Sequence, residues 1–174
     1  MVSFIPMHNH PMNIQILKAS AENKQVILNL MQLYMYDFSE YTGSDVEVNG
    51  LFAAYPHFED YWREENQRFP YVLMLDKVFI GFVFVRRIET QEKSYFSIAE
   101  FFIMRKYRRK GFGSSAAKEI FNLHRGEWEV FQMKANKPAQ DFWKAIIAEY
   151  TNGLFVEKTE NNRIIQQFDN HSFN

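Results

Sequence analysis

In the stretch Arg105-Lys106-Tyr107-Arg108-Arg109-Lys110-Gly111-Phe112-Gly113-Ser114, five of the first six residues are basic, and two of the chain's seven glycines close it. A missing side chain lets backbone amides approach a ligand closely. An apolar run precedes the stretch and a helical pattern follows it. Free N–H groups and the positive end of a helix are therefore aimed at one place, which predicts a phosphate cradle. The spacing over Arg108 to Gly113 is R-x-x-G-x-G. It differs from the P-loop, which needs four residues between glycine and Gly-Lys-Ser/Thr, and from the dinucleotide fingerprint G-x-G-x-x-G. The bland alternative is a solvated basic turn closed by glycines.

Outward from the stretch, periodicity places the elements. Tyr95 to Met104, just upstream, is a nearly continuous apolar strand broken by Ser97 and Glu100. Downstream, Ser114 to His124 carries Ala117, Ile120, Phe121 and His124 on one helical face and closes at Gly126. Tyr71 to Leu75 and Val78 to Arg86 flank Asp76-Lys77, the spacing of a two-residue hairpin. Trp128 to Lys134 reads as a strand. Pro138 opens a helix with Phe142, Trp143, Ile146, Ile147 and Tyr150 on its buried side, ended by Asn152-Gly153. Leu154 to Lys158 and Ile164 to Phe168 flank an Asn161-Asn162 turn.

Toward the N-terminus, Asn13 to Lys18 alternates as a strand, and Ser20 offers an N-cap for a helix over residues 21–40. Val26, Leu30, Leu33, Tyr34 and Phe38 are the apolar positions of that helix, which ends near Thr42-Gly43. The aromatic segment Gly50 to Gln67 holds a short helix around Phe58 to Glu65. Residues 1–12 read as a loosely held arm in which His8 and His10 form an H-x-H pair without a third ligand, and residues 13–174 as a single domain. The order is β-α-(α)-β-β-β-α-β-α-β-β, with no repeat or linker.

At 174 residues, 47% hydrophobic, with eighteen Phe, nine Tyr and three Trp, the chain is globular rather than disordered or fibrous. Its formal charge of -1 excludes a polyelectrolyte built for duplex DNA. Zero cysteines exclude disulfides, thiolate metal sites and a thiol nucleophile, and they fit a cytoplasmic location. No segment has the roughly 20 apolar residues of a spanning helix.

Arg108-x-x-Gly111-x-Gly113 and this element order resemble the GNAT superfamily of N-acetyltransferases over residues 13 to 168. The resemblance implies an α/β (α+β) GNAT fold. Its central mixed, mainly antiparallel sheet of about seven strands is flanked by helices and splayed between the fourth and fifth. It also implies acetyl-CoA as co-substrate, an amine acceptor and no metal. Carried onto this sequence, backbone amides from Arg109 through Lys110, Gly111, Phe112 and Gly113 to Ser114 hold the pyrophosphate. Arg108 belongs to the same loop, backbone around Phe102 and Ile103 pairs with pantetheine, and basic side chains meet the 3'-phosphate. Asn136 matches an asparagine that relatives set against pantetheine, or is a helix-entry turn residue. Trp143 stands where many relatives carry the tyrosine that protonates the departing thiolate. An indole N–H cannot act as that acid, so either another tyrosine or water takes the role, and Trp143 packs on the cofactor or in the core.

Glu100, in an apolar strand, loses hydration, which raises its pKa toward the range of a useful base. It is either that base or a buried acid paired with Arg or Lys. Tyr34 and Asp37 are the expected acceptor residues, with Asp37 and Glu40 able to attract a cationic amine; a solvated helix end accounts for them equally. His57 and His124 read as structural. Two rivals stand beside the enzyme: an acyl-CoA sensor without turnover, and a nucleic-acid-binding module using Arg86, Arg87 and the basic loop.

Overall fold

A computed structural model describes residues 14–172, so the expected arm of residues 1–12, with His8 and His10, lies outside the described residues. The strands are β1 (Gln15–Lys18), β2 (Arg68–Leu75), β3 (Val78–Glu89), β4 (Ser94–Ile103), β5 (Glu127–Met133), β6 (Val156–Glu160) and β7 (Arg163–Asp169). The helices are α1 (Lys24–Thr42), α2 (Phe112–Leu123) and α3 (Lys137–Tyr150), with 3₁₀ turns at Ala21–Asn23, Phe58–Trp62 and Arg105–Tyr107.

Local chemistry sets these boundaries. Ser20 N–H donates to the Asn23 side-chain oxygen at 3.1 Å, opening the turn that runs into α1. Gly43 closes α1 in the left-handed region at φ 68°, its N–H bonded to the Ser39 carbonyl. Asp76 and Lys77 both take positive φ, as a tight hairpin between right-twisted strands requires. The Asn136 side chain accepts from Ala139 N–H at 3.1 Å and caps α3, which starts at Lys137, one residue before Pro138. Within α1 the buried stripe is Ile27, Leu30 and Met31, at helical spacing; Leu33, expected in it, is 47% exposed.

All seven strands form one sheet in the order β1-β2-β3-β4-β5-β7-β6. Every neighbouring pair is antiparallel except β4 and β5, which run parallel and share one register pair, Phe96 with Trp128. Beyond that pair the two strands separate into a cleft, as expected. On one face α1 and the Phe58–Trp62 turn cover Val72, Phe82, Phe84 and Phe102; on the other α2 and α3 cover Leu73, Ile80, Val83 and Trp128. Each such fully buried side chain contributes about 1.5–3 kcal/mol of transfer free energy.

A bulge in β4 decides the faces near the cleft. Phe84 pairs with Glu100 but Val85 pairs with Ile98, leaving Ala99 as an extra residue. Simple alternation would put Glu100 on the face of Ile98, against α2 and α3; the extra residue turns Glu100 toward α1. Gly81, opposite Ile103, permits the close packing of β3 on β4: a Cβ there would lie 2.0 Å from the Phe102 carbonyl oxygen.

Candidate active site

The basic loop leaves the end of β4 through the Arg105–Tyr107 turn and enters α2 at Gly111. Arg109 (φ 60°) and Gly111 (φ 84°) both take left-handed backbone, a conformation that gathers successive N–H groups into a concave nest. Among the described residues no hydrogen bond takes the amides of Arg109, Lys110, Gly111, Phe112, Gly113 or Ser114; the first helical bond of α2 is Ser115 N–H to the Gly111 carbonyl. Six consecutive donors thus remain at the positive end of a twelve-residue helix. The Arg109 and Lys110 side chains are exposed beside them, while Phe112 is buried and anchors the loop in the core. Gly113 lies against Phe142, whose ring stands 3.0 Å from where a Cβ would sit. Amide donors, flexible cations and an absent side chain fit a diphosphate.

Arg108 departs from expectation. Its N–H donates to the Arg105 carbonyl at 3.1 Å, its Nε donates to the Ile103 carbonyl at 2.6 Å, and its other arm pairs with Asp37 on α1. Arg105 holds the second Asp37 oxygen, with Nε at 2.9 Å. Arg108 therefore braces the loop rather than joining the nest. Asp37, expected to draw an amine, has both oxygens occupied by guanidinium groups. Beside it a cavity of about 300 Å³ is lined by Tyr36, Glu40, Asp45 and Arg105.

Hydrogen-bond alternation along β4 fixes which backbone groups face the cleft. Met104 N–H donates to the Ile80 carbonyl at 2.8 Å, so in this register Phe102 is turned toward β3 and Phe101 and Ile103 toward β5. The cleft wall is Phe101 and Ile103, which replaces Phe102 by its neighbour. Phe102 instead contributes its buried ring to the α1 face.

Glu100 meets two hydroxyls. Tyr34 on α1 donates to Oε2, and Tyr55, in the segment between α1 and the Phe58–Trp62 turn, donates to Oε1 at 2.7 Å. Burial pushes the carboxyl above its ordinary value, and the two hydroxyl donors act in the opposite direction. Both phenols are driven up by burial and by the Glu100 charge, so each keeps its proton and donates. Among the described residues no Arg or Lys pairs with Glu100; in place of the alternative reading, a buried acid paired with Arg or Lys, it is held by two tyrosines. Sequence reading brought Tyr34 near the site but missed Tyr55, whose only signal was an aromatic-rich segment without periodicity.

Among the remaining expected residues, Trp143 is 5% exposed and packs against Phe101, Phe121 and Phe142, which makes it a core residue. Asn136 spends its side-chain oxygen on the α3 cap. His124 is buried with Nε2 2.8 Å from the Tyr71 hydroxyl, and exposed His57 sits 2.9 Å from Asp60. Among the described residues no group of three or more His, Asp or Glu is placed to hold a metal, and no helix is long and apolar enough to cross a membrane.

The fold is shared with solved acetyltransferases at low identity. The PaiA N-acetyltransferase from Thermoplasma acidophilum, in complex with coenzyme A, is 16% identical with a TM-score of 0.58, over 91% of this chain and 99% of that one. A GNAT-family acetyltransferase from Streptococcus pneumoniae is 11% identical with a TM-score of 0.59, over 89% and 97%. Arabidopsis thaliana Naa50, in complex with the bisubstrate analogue CoA-Ac-MVNAL, is 11% identical with a TM-score of 0.56, over 88% and 96%. No curated protein matches the chain. The family model described as acetyltransferase (GNAT) family matches residues 29–146, from within α1 to within α3. That span takes in the cleft, the amide nest and Glu100, and it makes the chain a member of the GNAT acetyltransferase family.

Proposed function

We propose that the protein transfers an acetyl group from acetyl-CoA to a primary amine of a small molecule or peptide, by direct attack. The observation that carries this reading is the run of six unbonded amides from Arg109 to Ser114 at the mouth of the β4–β5 cleft. There the diphosphate meets N–H donors, a helix dipole and the Arg109 and Lys110 cations together. The pantetheine arm lies along the backbone of Phe101 and Ile103, with Asn136 at the far wall.

A lysine-like amine, with pKa about 10.4, is unprotonated in only about one molecule per few thousand at neutral pH, and only that form attacks a thioester. Glu100 removes the proton, directly or through water. The N–C bond forms first, the Ile103 N–H steadies the resulting oxyanion, and the C–S bond then breaks; the thiolate takes its proton from water, since the indole N–H of Trp143 is no acid near pH 7. The acceptor is cationic: the segment from Gln25 to Trp62 has no Lys or Arg, and of its six Asp or Glu, Glu40 and Asp45 line the cavity beside Asp37, while Asp37, Glu59 and Asp60 are already paired with Arg105 and Arg108, Lys24 and Arg68. One solved neighbour, 16% identical to this chain, is an aminoglycoside acetyltransferase in complex with sisomicin. The zero-cysteine composition supports a cytoplasmic setting.

A melting screen with CoA thioesters, followed by thiol release over polyamines, aminoglycosides, amino acids and peptides, tests the reading. Stabilisation by acetyl-CoA with turnover on a cationic amine supports it. Stabilisation without thiol release on any amine points to the sensor. Binding to single-stranded nucleic acid that ignores CoA points to the third reading, although Asp37 already engages two of the loop's cations.

A further inference from the structure

Glu100 is exceptional among the carboxylates of the chain in its surroundings. Its neighbours on the sheet face, Phe84 across the register pair and Phe102 two residues on, are buried aromatics that offer no charge. Tyr34 packs edge-on against Phe82 and Phe102, and Tyr55 edge-on against Phe84, so both phenols are held by rings as well as by the carboxylate. Of the elements around Glu100, α1 supplies Tyr34, the segment after it supplies Tyr55, and the Phe58–Trp62 turn supplies Tyr61. The Tyr61 hydroxyl feels the Glu100 charge together with those of Arg86 on β3 and Arg68 on β2.

An ionised carboxylate is an acceptor only, with room for about four hydrogen bonds over its two oxygens. Here one O–H reaches each oxygen, Tyr34 from α1 on Oε2 and Tyr55 from the segment after it on Oε1. Such bonds form most strongly to the charged acid, so they oppose the tendency of an apolar site to protonate it. They also stop the carboxyl from turning about its last bond, leaving a free lone pair on each oxygen for an amine or a bridging water.

We propose that Tyr55, acting with Tyr34, is a positioning residue that keeps Glu100 ionised and fixed in orientation to take the acceptor's proton. The inference rests on Glu100 being the base. It adds that the segment linking α1 to the Phe58–Trp62 turn, which lies on the acceptor side, completes the base through one hydroxyl. Tyr55 does not touch the reacting atoms; it acts through Glu100.

The test follows the carboxyl itself. In protein labelled with ¹³C at glutamate carboxyls, the Glu100 resonance is the one lost in Glu100→Gln, and its pH midpoint is read in wild type, Tyr55→Phe and Tyr34→Phe. Loss of one donor moves the midpoint up by about one pH unit, a tenfold gain in proton affinity. The acid limb of acetyl-CoA thiol release with spermidine, or with whichever amine in the screen turns over, moves with it, and the rate recovers at higher pH. A structural role alone lowers the rate at every pH and leaves the midpoint in place. An unchanged midpoint in both Phe variants, while Glu100→Gln loses turnover, overturns this inference and leaves the base standing. Full turnover in Glu100→Gln overturns the base, and the inference with it. Tyr34→Phe supplies the second reading if Tyr55→Phe fails to fold.

Discussion

Glu100 shows how one extra residue changes what a side chain can do. Its charge in an apolar strand was visible in the sequence as an exception. The face it occupies was not, because the single-residue bulge at Ala99 leaves no mark in the hydrophobic pattern. Nor was Tyr55 visible as a partner, since a contact 45 residues apart depends on how a non-periodic segment folds back. Replacing Glu100 by Gln keeps the shape and removes the proposed base, so kcat is expected to fall by about 10²- to 10⁴-fold with acetyl-CoA affinity unchanged, as steady-state kinetics and calorimetry would report. Gly81 is the residue that lets β3 approach β4. Gly81→Ala places a methyl 2.0 Å from the Phe102 carbonyl oxygen and is expected to cost about 2–3 kcal/mol or more in urea unfolding.

At the scale of elements, the loop and α2 form one device whose outline was legible and whose details were not. The glycine spacing and the run of cations announced the nest, because both are local. That Arg108 turns away to Ile103 and Asp37 depends on α1 lying alongside, which no local pattern encodes. Gly111 stands at φ 84° with nothing within 4 Å of where a Cβ would sit, so a side chain there strains the backbone without a clash in the core. Gly111→Val is expected to cost about 1–2 kcal/mol of stability and to abolish the rise in Tm that acetyl-CoA produces. A retained Tm rise would count heavily against the nest. The far end of α2 carries a different dependence. His124 is pushed down to about 4, first by burial and then by the Lys18 charge, whereas unfolded chain takes up the proton near 6.5. Between those values the unfolded state binds more protons, so the stability from neutral His124 is whole above about 6.5 and is lost as pH falls toward 4. His124→Gln, which can keep a hydrogen bond with the Tyr71 hydroxyl and does not titrate there, is expected to flatten the Tm-against-pH curve over that window.

Across the whole molecule, charge and topology divide the labour. Neighbouring strands pair along the sheet except β4 and β5, which part after one pair, and the cationic loop stands at the head of the cleft that opens there. Element order and the hairpin turns were readable because turn chemistry and periodicity are local; the separation of β4 from β5 came only from family resemblance, since nothing in either strand forbids pairing. The central claim is that backbone amides at the head of α2 grip the diphosphate of acetyl-CoA. Amide NMR of ¹⁵N-labelled protein titrated with acetyl-CoA tests it most directly. The resonances of Arg109 to Ser114 should move downfield and saturate together at one stoichiometric equivalent; if those six stay in place while acetyl-CoA binds and shifts amides elsewhere, the claim is contradicted.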